Sequence, residues 1–531
     1  MTINHFISLV CAFIGAFLIS SVTAAALGLG QYEPLNVVSV WLQYYQSPPK
    51  ELLIASFSGL ALIAIVFLFP EGAKDKYGSA RWAKSTDARK MKLFANRGII
   101  LAKAFGKYLR FDKNLSVAVL APPGTGKTAG IIIPTLLSCG HSIVAFDVKG
   151  ELFQITSKVR SRFSRVLRFA PVEADSMGWN PLDASILPTK WADKVQVVER
   201  IASILIHKKD AGDHWNEEAR SVLIFFALYL IHKNGGTSFA EIRALSLSSG
   251  DVQEWLEDLL EEETGLPLRV IEEANSLIGK ADKEFSGVFS SFKKALNVFA
   301  DERVAKATSH NEFIPSQLRK ECTTVYLEVN AQDLDRLAPL MRLFFETTAI
   351  YLLSVPPENG KTGIWRKLLK RKIVPRDQDV TFMLDEFVRL GKMPVLLKNP
   401  ALSRGNRFNS VFVSQDWGQI EDLYGKTGVS EMETTTAYKV IFQQNNIDTA
   451  ERISRSIGDK TQVRKSKSRS KGGTSKSESD EAARLVRAQE ITDMDESQCL
   501  VMAQGYMSRP VKAKICFWFR DRQLKNIVKN A

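Results

Sequence analysis

Short apolar runs separated by helical periodicity dominate the chain after residue 115. Eight of these runs are rich in β-branched and aromatic residues, and turn-forming or polar residues bound them. They cover residues 117–120, 143–146, 166–169, 324–329, 380–384, 410–413, 439–442 and 500–503. Because successive residues are apolar, rather than every second one, the runs predict strands of a sheet that helices cover on both faces. The predicted fold class is α/β.

A second pattern fills the stretch between about residues 183 and 311, where almost all periodicity is helical. Its clearest instance is a stripe with three- and four-residue spacing: Phe285, Val288, Phe289, Phe292, Leu296 and Phe299. Aromatic residues at that spacing form a core face far more often than a ligand site. The sequence therefore predicts an all-α domain inserted into the α/β domain.

Two uncharged apolar runs precede both patterns. Residues 6–29 and 52–69 are each long enough to cross a bilayer as a helix. The segment between them carries few charges, whereas eight Lys and Arg residues occur between 74 and 97. The positive-inside rule then predicts a short periplasmic loop, with the bulk of the chain in the cytoplasm. A cleaved signal peptide is the alternative for the first run, but the chain start lacks a basic segment.

Composition narrows the class of protein only a little. The 531 residues are 45% hydrophobic and 24% charged, which is typical of globular domains. The net charge of +13 favours polyanionic neighbours, either nucleic acid or anionic lipid. Five scattered cysteines without CxxC spacing indicate neither disulfides nor zinc. The Ser-, Lys- and Arg-rich segment 464–480 predicts a flexible basic loop, with a DNA- or lipid-contacting element as the alternative.

The run 117–120 leads into a candidate phosphate-binding loop. The pattern GxxxxGK(S/T) is met except at its first position, across Ala121, Pro122, Pro123, Gly124, Thr125, Gly126, Lys127 and Thr128. In such a loop backbone N–H groups face phosphate oxygens, the lysine reaches the β- and γ-phosphates, and the hydroxyl binds Mg²⁺. Two other Gly-Lys-Thr triplets, at 360–362 and 425–427, lack a strand directly before them. The sequence predicts that residues 121–128 bind ATP with Mg²⁺.

An acidic partner for this loop follows the run 380–384. Asp385 is placed to hold Mg²⁺, and Glu386 to orient and deprotonate the attacking water. The run 410–413 ends near Gln415, which we assign as a sensor of the γ-phosphate. Arg404 is the candidate arginine finger that reaches a neighbouring subunit, and Arg407 competes for that role. AAA+ ATPases have a similar loop, but their acidic strand follows it much sooner.

From about residue 6 to 518 the chain resembles the coupling proteins of bacterial type IV secretion and conjugation systems. The strings that carry the resemblance are FDVKGE at 146–151, WNPLD at 179–183, LDEF at 384–387 and NIDTAE at 446–451. The resemblance implies a RecA-like P-loop NTPase domain with an inserted all-α domain, preceded by two transmembrane helices. It also maps the family's P-loop lysine, Mg²⁺ acid, catalytic glutamate, sensor and finger onto Lys127, Asp385, Glu386, Gln415 and Arg404.

The resemblance further implies a homohexameric ATPase at the bacterial inner membrane. Its expected partners are membrane lipid, inner-membrane components of the secretion system, and a relaxase–DNA complex or protein effectors as cargo. The expected organisation is a membrane anchor (1–72), a nucleotide-binding domain in two parts (73–183 and 312–531) and an all-α domain (184–311). Two alternatives stay open: an effector-docking receptor that does not hydrolyse ATP, and a septal-type DNA translocase. The nature of the cargo also stays open.

Overall fold

The computed structural model describes residues 76–207, 213–248, 250–357, 377–398, 400–470 and 473–531. Both predicted membrane spans, 6–29 and 52–69, lie outside these ranges. Within them, no helix combines the length and the apolar character that crossing a bilayer requires. The chain divides into two units, Met1–Lys76 and Tyr77–Ala531, and the elements below belong to the second.

Among the described residues of this unit, thirteen strands form one large sheet of eleven strands and a separate two-stranded hairpin. The strands along the chain are β1 (Ile99–Ala104), β2 (Lys107–Phe111), β3 (Val117–Leu120), β4 (Ser142–Val148), β5 (Arg165–Phe169), β6 (Thr323–Val329), β7 (Val380–Leu384), β8 (Phe408–Ser414), β9 (Tyr438–Ile441), β10 (Asp459–Ser470), β11 (Gly473–Arg484), β12 (Gln498–Ala503) and β13 (Val511–Lys514). The sheet order is β2-β1-β13-β12-β9-β3-β8-β7-β4-β6-β5, and β10 pairs with β11 separately. All eight runs predicted from the sequence coincide with strands of the large sheet.

The seven strands from β9 to β5 pair in parallel. The remaining four, β12, β13, β1 and β2, extend the sheet on one side by antiparallel pairing. Parallel strands must be covered on both faces, which is why β3 and β7 are buried throughout. Since β3, β8 and β7 are neighbours, the residues that follow them emerge at one edge of the sheet. The phosphate loop and the acidic pair predicted from the sequence lie at this edge.

Helices cover the sheet and form a region of their own. Along the chain they are α1 (Ser85–Lys90), a π-helical turn (Thr128–Ile132), α2 (Ile133–Ser138), α3 (Glu151–Arg160), α4 (Trp191–Leu205), α5 (His214–Asn234), α6 (Phe239–Ser248), α7 (Val252–Glu262), α8 (Leu268–Ile278), α9 (Asp282–Ala295), a 3-10 turn (Asn297–Ala300), α10 (Glu302–Ala307), α11 (Gln317–Lys320), α12 (Leu334–Ser354), a 3-10 turn (Phe387–Leu390), α13 (Pro394–Lys398), α14 (Pro400–Gly405), α15 (Trp417–Thr435), α16 (Ile447–Ile457), α17 (Ala488–Thr492) and α18 (Arg522–Lys529).

Every described element between β5 and β6 is a helix, in the stretch where the sequence predicts helix. The aromatic stripe of α9 is buried, as expected of a core face. Phe292 in that stripe stacks on Phe226 of α5, with ring centroids 5.7 Å apart. Burying several aromatic rings between two helices stabilises such a packing arrangement strongly.

The structure corrects the prediction of a loop at 464–480. This segment lies within the antiparallel hairpin of β10 and β11, which is paired from Asp459↔Arg484 to Ser470↔Gly473. Two ion pairs cross the base of the hairpin, from Arg484 to Asp459 at 3.1 Å and from Arg464 to Glu481 at 3.5 Å. The composition of the segment predicted flexibility because it lacks large apolar residues. Backbone pairing with the opposite strand, rather than apolar side chains, defines both halves of the hairpin.

Candidate active site

The candidate phosphate loop lies between the end of β3 and the π-helical turn that leads into α2. Its two glycines, Gly124 and Gly126, have φ angles of 81° and 76°, which favour glycine over other residues. Ala121 stands where the pattern expects a glycine. It is buried, its N–H donates to the carbonyl of Ser414 at 2.9 Å, and its φ is not positive. The departure at Ala121 therefore needs no special backbone conformation.

Four predicted residues meet at the carboxyl edge of β3 and β7. Lys127 Nζ donates to Glu386 Oε1 at 2.9 Å and lies 3.7 Å from Asp385 Oδ1. Thr128 Oγ1 donates to Asp385 Oδ2 at 2.6 Å. Glu386 has a left-handed backbone conformation, with φ 57° and ψ 44°. A non-glycine residue in that region is strained, and strain of this kind concentrates at functional sites.

The two carboxylates have different surroundings. Asp385 is buried, and burial raises the pKa of its carboxyl group, an effect that the nearby Lys127 ammonium and Thr128 hydroxyl oppose. The side chain of Glu386 is about one-third exposed, at 34%. A buried carboxylate next to a hydroxyl suits a metal ligand, whereas a more accessible carboxylate can reach a water molecule. The roles of metal ligand for Asp385 and of general base for Glu386 stay predictions.

The site also suits Mg²⁺ in its donor atoms. Asp385 Oδ1 is buried and has no hydrogen-bond donor among the described residues, so one oxygen stays available for a ligand. Together with Thr128 Oγ1 it offers the hard oxygen ligands that Mg²⁺ prefers. No cluster of three or more His, Cys, Asp or Glu that could hold a metal occurs in the described part of the chain.

Gln415 lines a small cavity together with Lys127 and Glu386. The N–H of Gln415 donates to Gln419 Oε1 at 3.3 Å, and Ser414 Oγ donates to the same oxygen at 3.2 Å. Gln419 lies in the first turn of α15 and was not singled out from the sequence. It orients the backbone on which Gln415 is carried, and only the packing of α15 reveals this.

The two arginine candidates lie at the other end of β8, away from the cavity. Arg404 is the penultimate residue of α14 and is exposed. Arg407 is buried, and its Nε donates to Asp379 Oδ1 at 2.8 Å. An arginine finger needs a free guanidinium that can reach a neighbouring subunit. The exposure of Arg404 fits that role, whereas the contacts of Arg407 tie it to its own chain.

A further carboxylate, that of Asp147, lies beside the site. Asp147 was not identified as a site residue from the sequence. The pairing of Phe146 with Leu384 places Asp147 next to Asp385 at the sheet edge. It is 1% exposed and accepts the N–H groups of Leu152 at 3.1 Å and Phe153 at 2.8 Å. Burial raises its pKa to about 6. The signal in the sequence was an acidic residue directly after the apolar run 143–146.

The sequence of this chain is similar to those of known proteins of one family. Residues 79–531 match the family described as type IV secretory system conjugative DNA transfer. Protein VirD4 of Rhizobium radiobacter is 26% identical over 555 residues, covering 98% of this chain and 77% of VirD4. The conjugal transfer protein TraG of Escherichia coli is 27% identical over 481 residues, covering 82% of this chain and 74% of TraG.

Solved structures of coupling proteins have a similar fold. The bacterial conjugative coupling protein TrwB superimposes with a TM-score of 0.62 at 17% identity, covering 84% of this chain and 95% of TrwB. A structure of TrwB in complex with ADP and Mg²⁺ gives the same TM-score and coverage. At this identity the likeness concerns the fold alone. On the family match across most of its length, the chain belongs to the type IV secretory system conjugative DNA transfer family, the coupling proteins.

Proposed function

We propose that this chain is a Mg²⁺-dependent ATPase that couples substrate recruitment to export through a type IV secretion or conjugation channel. The observation that carries the proposal is the contact of Lys127 with both Glu386 and Asp385, on a loop of phosphate-binding geometry. A lysine held by two carboxylates in the free chain has its positive charge where a triphosphate would need it. TrwB, a structural neighbour, has been solved with ADPNP as well as with ADP and Mg²⁺.

Each side chain then has one task in hydrolysis. Lys127 exchanges Glu386 for the β- and γ-phosphates, and the freed Glu386 carboxylate accepts a proton from the attacking water. Asp385 and Thr128 would hold Mg²⁺, and the ion would neutralise charge on the phosphates. Gln415 orients the water or contacts the γ-phosphate from the end of β8. The acidic pair thus holds the lysine before nucleotide binds and serves the reaction afterwards.

We assign Arg404 to the active site of a neighbouring subunit in a homohexamer. Its exposure at the end of β8 opposite to Ser414 supports a role outside its own site. The test is hydrolysis by mixtures of Arg404→Ala and Lys127→Ala chains. Mixed assemblies contain interfaces with an intact Lys127 on one side and an intact Arg404 on the other, so turnover should reappear. Mixtures as inactive as either variant alone would contradict the assignment.

The remaining parts of the chain serve attachment and recruitment in this proposal. Residues 1–72 anchor the protein in the bacterial inner membrane through two spans, and the bulk of the chain is cytoplasmic. The all-α domain, 184–311, recruits cargo, and the nucleotide-binding domain, 73–183 with 312–531, drives export. The partners are inner-membrane components of the secretion system and a relaxase–DNA complex or protein effectors.

The type of cargo can be tested through hydrolysis. ATP turnover of the purified full-length chain should be measured alone, with single-stranded DNA and with double-stranded DNA, and Lys127→Ala is the control. Stimulation that declines steeply with salt is expected if the ring holds the DNA backbone. Turnover that DNA leaves unchanged favours docking of protein effectors. Wild-type protein that lacks Mg²⁺-dependent turnover under all three conditions would contradict the ATPase proposal.

A further inference from the structure

A segment after β13 crosses the start of the helix that follows the phosphate loop. The N–H of Trp518 donates to the carbonyl of Ala129 at 3.1 Å. A Cβ atom placed on Gly126 would lie 2.5 Å from Cε1 of Phe517, so this ring already contacts the loop glycine. The segment is therefore packed against the same backbone that would hold the phosphates.

This segment presents two aromatic rings and an arginine, which we call the aromatic platform: Phe517, Phe519 and Arg520. The two phenylalanine rings are stacked, with centroids 5.6 Å apart and an interplanar angle of 27°. The Arg520 guanidinium lies 5.1 Å from the centroid of Phe517 and 5.8 Å from that of Phe519. Phe519 is 44% exposed, so part of its ring is accessible from solvent.

The platform is held in place by the start of α18. Asp521 accepts the N–H groups of Gln523 at 3.0 Å and Leu524 at 3.2 Å, and the hydroxyl of Tyr108 donates to it at 2.8 Å. Lys103 Nζ completes this anchor at 3.1 Å from Asp521. The residue directly after the platform is thus fixed by four contacts, which limits the movement of Phe519 and Arg520.

The order of the sheet decides which end of a nucleotide this platform would meet. Asp385 and Glu386, which act on the γ-phosphate, follow β7, on one side of β3. The platform follows β13, on the other side of β3. A triphosphate gripped by Lys127 with its γ-phosphate towards β7 must direct its ribose and base towards the β13 side.

We propose that the aromatic platform is the subsite for the base of the bound nucleotide. This inference rests on the proposed function, because it assumes that the loop holds the triphosphate. Aromatic faces and a guanidinium plane stack on any base, so the subsite binds adenine and guanine through their π-faces. The charge of Arg520 adds a cation–π contribution to the same surface.

The test compares binding of MgATP, MgGTP and inorganic tripolyphosphate by the purified full-length chain, using isothermal titration calorimetry. Phe519→Ala should weaken the binding of both nucleotides on the order of tenfold, a typical loss for one base–aromatic stack. Its affinity for tripolyphosphate, which has no base, should stay at the wild-type value. Phe519→Tyr should keep nucleotide affinity at the wild-type value because it keeps the aromatic face.

Phe163 provides a matched control. It is 45% exposed, and the Arg160 guanidinium lies 4.7 Å from its ring centroid, but it precedes β5 at the opposite edge of the sheet. Phe163→Ala should leave all three affinities unchanged. Lys127→Ala, in contrast, should weaken the binding of nucleotides and tripolyphosphate alike.

Equal weakening of nucleotides and tripolyphosphate by Phe519→Ala, or no weakening at all, would overturn the assignment of the platform. The proposed function would stand in both cases, since it depends on Lys127. Wild-type protein that binds neither tripolyphosphate nor nucleotide would instead refute the proposed function, and the platform with it.

Discussion

The substitution Glu386→Gln separates nucleotide binding from hydrolysis. In the free chain Glu386 Oε1 and Lys127 Nζ are 2.9 Å apart, and a triphosphate must take the lysine away from this carboxylate. The Lys127 side chain is 11% exposed and that of Glu386 34%, so the pair is partly screened and is worth about 1 kcal/mol. Removing this competition should tighten ATP binding about fivefold. Loss of one negative charge near the phosphates acts in the same direction.

Hydrolysis should change in the opposite direction. A positioned general base contributes about 10²- to 10⁴-fold to the rate, and an amide cannot accept the proton. Turnover of Glu386→Gln should therefore fall by at least about a hundredfold while its affinity for ATP rises. Calorimetric titration with MgATP and a phosphate-release assay on the same preparation measure both quantities.

Glu433→Gln is the matched control for this experiment. Its carboxylate also pairs with a cation, Arg452, at 2.6 Å, and its side chain is 27% exposed. The pair lies near the end of α15, away from the cavity that Gln415 lines. The control should alter neither affinity nor turnover. If Glu386→Gln lowered ATP affinity and turnover together, Glu386 would have a structural role, and the reasoning from the Lys127 contact would be refuted.

Three further predictions concern the surroundings of the site. Glu386→Gly should be more stable to unfolding than Glu386→Ala by about 1 kcal/mol in chemical denaturation. Both variants lack the carboxylate, and only glycine accepts a φ of 57° without strain. Equal stabilities of the two variants would contradict this. Arg407→Ala should lower the free energy of unfolding by about 1–3 kcal/mol, because its hydrogen bond to Asp379 is lost. Arg404→Ala should lower turnover and leave the melting temperature unchanged. The reverse pattern would identify Arg407 as the arginine finger. Burial raises the pKa of Asp147 to about 6 from 3.8, so between about pH 4 and 6 the folded chain retains a proton that the unfolded chain has lost, and this group destabilises the fold as the pH rises. Denaturation from pH 4 to 7 should therefore show Asp147→Asn gaining stability over the wild type with rising pH, by about 3 kcal/mol at most; a constant difference would contradict the raised pKa.

The sequence predicted the parts of the structure that depend on local pattern. β3 and β7 are nearly continuous apolar runs, so both strands could be located within a residue. The phosphate loop has fixed spacing, and the acidic pair follows an apolar run directly. Lys127 and Glu386, distant in sequence, could therefore be expected to meet once β3 and β7 lay in one sheet.

Features that depend on the packing of distant segments could not be predicted in this way. Phe517 contacts Gly126 only because β13 joins the far side of the sheet, and the local sequence around Phe517 carries no sign of that pairing. The position of Asp147 beside Asp385 depends on the register between β4 and β7, which the sequence does not reveal. The hairpin of β10 and β11 has a polar composition that predicts a loop, and its two strands pair with each other in a sheet of their own.

Mg²⁺-dependent ATP turnover of the full-length chain, measured side by side for the wild type and Lys127→Ala, shows whether the loop after β3 is the site of ATP hydrolysis. We expect turnover that requires Mg²⁺ in the wild type and none above background in the variant, with both proteins equally folded by circular dichroism. Equal turnover in the two proteins would contradict it, because phosphate cleavage would then not depend on the loop that follows β3.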